Sequence, residues 1–90
     1  MNNYLVTIEV DGGMGLNNYK HLVQCDGFVQ HNYTASELIE EFVGRAPDEI
    51  IDCGEYQYDV TCIYQGTALR VGEIQAVADE EVSVLKKYGI

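Results

Sequence analysis

"YLVTIEVDGGMGLNNYKHLVQC", residues 4–25, decides the fold, because it reads as two strands joined by a glycine-rich connection. Tyr4, Val6, Ile8 and Val10 alternate with Leu5, Thr7 and Glu9, the period-two pattern of a half-buried strand. Tyr19, His21, Val23 and Cys25 alternate in the same way with Lys20, Leu22, Gln24 and Asp26. Pairing Val10 with Tyr19 sets Ile8 opposite His21, Val6 opposite Val23 and Tyr4 opposite Cys25, so that all eight share one face. This register leaves Asp11 to Asn18 as an eight-residue loop. A connection longer than ordinary hairpin turns is a candidate binding element, and Met14 and Leu16 are its adaptable apolar tips. The competing reading is an inserted loop with no task.

Further along, "NYTASELIEEFVGRAP" (32–47) carries several helix signals at once. Thr34 is the N-cap, and Glu37 closes a T-x-x-E capping box. Tyr33 is placed to staple against Leu38. Leu38, Ile39, Phe42 and Val43 form the apolar stripe, and Gly44 and Pro47 end the helix. Asp26-Gly27 bends the chain between the second strand and this segment.

"GEYQYDVTCIYQGTALRVGEIQAV" (54–77) is a second hairpin, with Tyr56, Tyr58, Val60, Cys62 and Tyr64 on one face. A turn at Gly66-Thr67 sets Tyr64 against Leu69 and Cys62 against Val71. Strict alternation past Gly72 would then bury Glu73, so a bulge at Gly72-Glu73 is expected, returning Ile74 and Ala76 to the core face. The closing "DEEVSVLKKYG" (79–89) is a helix with acids in its first turn and lysines in its last, matching the helix dipole, with Val82, Leu85 and Tyr88 as its apolar stripe. The fold expected is α+β, a single domain over 1–90: a four-stranded antiparallel sheet in ββαββα order, with helices packed on one face.

Composition narrows the function. Apolar residues make up 47 % of the 90-residue chain and charged residues 22 %, as in a folded domain. No apolar run has the length of a membrane span, and the N-terminus lacks the basic and apolar regions of a signal peptide. Three cysteines (Cys25, Cys53 and Cys62) without CxxC spacing suit reduced thiols in the cytoplasm. His21 and Cys25 share a strand face, but that face is aromatic and aliphatic. His21 is therefore read as a core histidine bonded to a tyrosine hydroxyl, and no metal or other cofactor is expected. Ser36 and Ser83 sit in helical segments with no histidine nearby in sequence, and the carboxylates occupy polar positions with ordinary surroundings. An enzyme is the least favoured class.

Five basic against fifteen acidic residues give a formal net charge of -10. This exceeds the magnitude of ~2–8 common in small soluble domains and argues against direct binding to nucleic acid or an anionic membrane. Glu37, Glu40, Glu41, Asp48, Glu49, Asp52, Glu55 and Asp59 fall in one stretch, with Arg45 as its only basic residue. A solvated face explains such a run on its own. Joined to the glycine loop and the tyrosines, it points to a surface for a protein partner.

Small size, strong acidity, tyrosine richness and the absence of a catalytic signature resemble the small phage-encoded inhibitors of bacterial defence, such as anti-CRISPR and anti-restriction proteins. That resemblance rests on general character over the whole chain and transfers no individual residue. It implies an inhibitor in the host cytoplasm that occupies the basic nucleic-acid channel of a CRISPR effector or another defence protein. Glu37, Glu40, Glu41, Asp48, Glu49, Asp52 and Glu55 would supply the charge, and Met14 and Leu16 an apolar contact. The other reading is a small structural or assembly module that self-associates through a sheet edge or its tyrosine face. A monomer or a small homo-oligomer is expected.

Overall fold

The computed structural model describes residues 1–52 and 54–90. Its elements are β1 (Asn2–Gly12), β2 (Gly15–Cys25), α1 (Val29–Asn32), α2 (Ala35–Val43), β3 (Glu49–Asp52), β4 (Val60–Tyr64), β5 (Thr67–Val77) and α3 (Asp79–Lys87). The α+β class stands, but the sheet has five strands rather than four, all antiparallel, in the order β2-β1-β5-β4-β3. The added strand is β3, within a stretch that reads as acidic loop. A further correction concerns the helices. Val29–Asn32 forms an extra short turn of helix, and Gly27 ahead of it, at φ +78°, makes the expected bend.

Both hairpins differ from the sequence reading by the same step. In the first, Val6 pairs with His21, Ile8 with Tyr19 and Val10 with Asn17, and the strands continue to Gly12 opposite Gly15. The eight-residue loop is therefore a two-residue turn, Gly13-Met14, followed by Gly15 at φ +109°. In the second, Tyr64 pairs with Thr67 and Cys62 with Leu69, so the turn is Gln65-Gly66. Both of its residues have positive φ, +51° and +82°, the geometry that matches strand twist in the tightest hairpins. Each shift keeps the apolar parity intact, which is why alternation alone could not exclude it.

The expected bulge is present. Between the Val6–Ile74 and Ile8–Val71 pairs, Gly72 and Glu73 together oppose Thr7. Glu73 is exposed, and Ile74 packs against the core. Ala76, expected on the core face, is exposed instead.

The core lies between one sheet face and helices α1 and α2. Val6, Ile8, Val29, Leu38, Ile39 and Cys62 are wholly buried there, with Tyr4, Tyr58 and Tyr64 around them. The α2 capping box forms as read: Thr34 Oγ1 accepts from Glu37 N–H at 3.2 Å, and Glu37 Oε1 accepts from Thr34 N–H at 2.9 Å. Gly44 closes the helix in the left-handed conformation. Helix α3 does not join α2 on the core face. Asn3, one residue out of phase with Tyr4, is buried on the reverse face and donates to the Asp79 carboxylate at the start of α3. Val82 is buried outside the core cluster, and Tyr88, read as part of its stripe, is 77 % exposed. Among the described residues no helix is long and apolar enough to cross a membrane.

Candidate acidic interaction surface

The amphipathic pattern of α2 turns Leu38 and Ile39 into the core and leaves Glu37, Glu40 and Glu41 outside. These three carboxylates line a shallow depression with Tyr33 and Gly44. They are not equivalent. Glu37 is held by the capping box, and the Thr34 backbone N–H, followed by its hydroxyl, keeps the carboxyl below the ordinary glutamate range. Glu41 Oε1 lies 3.0 Å from His21 Nε2, and the imidazole packs edge-on against Phe42. His21 is thus partnered by a carboxylate rather than by the tyrosine hydroxyl expected of a core histidine. Among the described residues the carboxylate of Glu40 has no hydrogen-bond or ion-pair partner.

Tyr64 feels the charge of Glu40 and Asp48. Burial is the main reason the Tyr64 phenol lies above its ordinary value; Cys62 and then the two carboxylates add to the shift, and the Arg45 guanidinium opposes it. The same hydroxyl donates to Arg45 O at 2.9 Å, and the Arg45 guanidinium stands 5.0 Å over the ring. Asp48 has structural work of its own. One carboxylate oxygen accepts from Gln65 N–H at 2.8 Å, supporting the tight β4–β5 turn, and the other lies 3.7 Å from Arg45. The turn-side end of the sheet therefore gathers Asp48, Arg45 and Gln65. Met14 stands at the same end, because Gly12 of the neighbouring hairpin lies beside Thr67.

Strand alternation divides the remaining acids. On β3, Ile50 is opposite Cys62, so Ile50 and Asp52 lie on the helix side, whereas Glu49 and Ile51 lie on the reverse side. Ile50 is 53 % exposed, and among the described residues the carboxylates of Glu49 and Asp52 have no hydrogen-bond or ion-pair partner. Glu55 is exposed beyond the strand. Met14 is 98 % exposed, as expected of a tip, but it belongs to a tight turn. Leu16, 66 % exposed, is the first side chain of β2 beyond Gly15 and projects from the reverse face, where it borders a hollow with Glu9, Asp11 and Arg70. The structure thus brings Glu37, Glu40, Glu41, Asp48 and Asp52 to the α2 side. Glu49 and Leu16 face the other way.

The exposed edge isoleucine and the Tyr64–Arg45 stack are features that sequence reading missed. The groups weighed for other chemistry are placed as follows. Cys25 and Cys62 are buried free thiols, and burial pushes the Cys62 thiol up. Cys53 lies outside the described residues. Tyr56, assigned to a strand face, is 69 % exposed ahead of β4. The Ser36 hydroxyl lies 3.2 Å from that of Thr34, and Ser83 donates to Glu80 O. No group of three or more histidine, cysteine or acidic side chains among the described residues is placed to hold a metal ion. Comparison with protein-family models, with curated proteins and with solved structures finds no match for this chain.

Proposed function

We propose that this chain is a non-enzymatic inhibitor that binds a nucleic-acid-handling protein, of the kind found in bacterial defence systems, by covering its basic groove. One observation carries the reading: Glu37, Glu40 and Glu41 project from the outer face of α2, and Asp48 and Asp52 extend the same side toward the sheet edge. Helical turns are spaced by about 5.4 Å, so carboxylates on successive turns present negative charge at a density near that of a phosphate strand. A Lys/Arg groove shaped for phosphates can receive such a row. The exposed Ile50 and Met14 add apolar contact at its margin.

Competition tests this reading. A partner captured on the immobilised chain is challenged with duplex DNA, which binds the same groove under the proposal. Release of the partner by DNA, together with loss of capture by Glu40→Lys/Asp52→Lys, is the expected result. A partner retained in excess DNA and captured equally by that variant would sink the proposal.

A further inference from the structure

The two edges of the sheet differ in charge and in protection. Edge β3 has only four residues, begins with Glu49 and ends with Asp52, and has Asp48 and Glu55 just outside it. Short length and charge are the usual devices that keep an edge from pairing with another chain. Edge β2 has eleven residues, contains no proline and carries no carboxylate. In fact all fifteen acidic residues lie outside Gly12–Cys25. The one lysine of β2 does not guard the edge either: Lys20 Nζ turns inward to β1 and donates to Thr7 Oγ1 at 2.6 Å. Residues 15–20 are all exposed. Alternate residues there turn their backbone N–H and C=O groups away from β1.

We propose that two copies of this chain pair through β2, antiparallel about a two-fold axis at Tyr19, to make one continuous ten-stranded sheet. A second copy is the occupant that the charge pattern selects. Two chains of net charge -10 repel, and β2 is the border whose own residues carry no carboxylate, while Glu41, which reaches it, is held by His21. A strongly basic partner gains nothing at this edge and gains most at α2 and β3. The register follows from the side chains. With Tyr19 (49 % exposed) facing its own copy, the exposed Leu16 lies opposite Leu22 of the second copy, Asn18 opposite Lys20, and Asn17 opposite His21. Every residue then faces one of the same sheet side, as an axis perpendicular to the sheet requires. Edge β3 and the outer face of α2 stay open, so the dimer presents two acidic surfaces.

Sedimentation equilibrium on the purified chain tests this without any partner. The wild type is expected at twice its 10.1 kDa mass, with tighter association as salt screens the net repulsion. Association with a basic partner has the opposite salt dependence, so the two readings fail separately. Tyr19→Glu and Tyr19→Lys are each expected to raise the dimer dissociation constant by at least about tenfold, with the circular dichroism spectrum unchanged. Mixing the two in equal amounts restores a dimer, because the position faces itself. Asn18→Glu, whose side chain lies on the reverse face, weakens association as well. A wild type that stays monomeric at every salt concentration would overturn the proposal. So would a dimer indifferent to positions 18 and 19, or a Glu/Lys mixture that fails to associate.

Discussion

Replacing Gly13 and Gly15 separately by alanine distinguishes a tight first turn from an open glycine loop. Gly15 sits at φ +109°, and Gly13 lies outside the left-handed range. Nothing lies within 4 Å of a Cβ built at either position, so contacts cannot tell them apart and backbone conformation alone sets the difference. At Gly13, alanine removes freedom from the unfolded chain and stabilises by about 0.4–1 kcal/mol. Gly15→Ala has the same gain but forces an L residue to positive φ, at a cost of about 1–2 kcal/mol. The unfolded-state gain cancels between the variants, leaving Gly13→Ala more stable than Gly15→Ala by about 1–2 kcal/mol. For a domain of this size that is a gap of roughly 4–16 °C in melting temperature, well resolved by calorimetry. Equal melting temperatures would refute the tight turn, because a loose loop from Asp11 to Asn18 tolerates alanine at both places.

Leu38→Ala, at a wholly buried position between α2 and the sheet, is expected to destabilise by about 2–5 kcal/mol in chemical denaturation, and a loss below 1 kcal/mol would show that α2 is not docked there. Thr34→Ala removes the N-cap hydroxyl and should cost about 1 kcal/mol, moving the Glu37 titration, followed by NMR, only part of the way up, because alanine keeps the backbone N–H that is the larger cause. Since the folded-state value of Glu37 is depressed, its stabilisation is present above the unfolded-state value and lost as pH falls through the folded one; the wild type should lose more stability than Thr34→Ala over that acid window. Tyr33, Tyr58 and Tyr64 lie above the ordinary phenol value, chiefly through burial, so ultraviolet titration should show a late-ionising class. Their raised values make stability full below the unfolded-state value and progressively lost as pH rises through the folded ones.

What alternation and capping could specify, they specified. Thr34, Glu37 and Gly44 define α2 by local chemistry, and the need to expose Glu73 while burying Ile74 located the bulge. Register was not legible, because moving Val10 from Tyr19 to Asn17 leaves the apolar face unchanged; only the backbone conformations at Gly15, Gln65 and Gly66 decide it. Strand β3 was hidden because "EIID" is too short to show a period and is flanked by acids that read as loop. The reverse-face attachment of α3 depends on Asn3 meeting Asp79 across nearly the whole chain, beyond any local pattern. For the candidate surface, spacing placed Glu37, Glu40 and Glu41 together on α2. It could not show that Glu41 is paired to His21, that Asp48 supports a turn, or that Glu49 and Asp52 part to opposite faces.

The most direct measurement is the association rate of the captured partner as a function of ionic strength, for the wild type and for Glu40→Lys/Asp52→Lys. Both side chains are exposed and unpartnered among the described residues, so the comparison isolates the charge of the α2 side. An acidic surface that substitutes for a phosphate strand predicts a wild-type association rate that falls steeply with salt, and a variant that is slower and far less salt-dependent, with the difference largest at low ionic strength. Identical rates and salt slopes for the two chains would contradict that role.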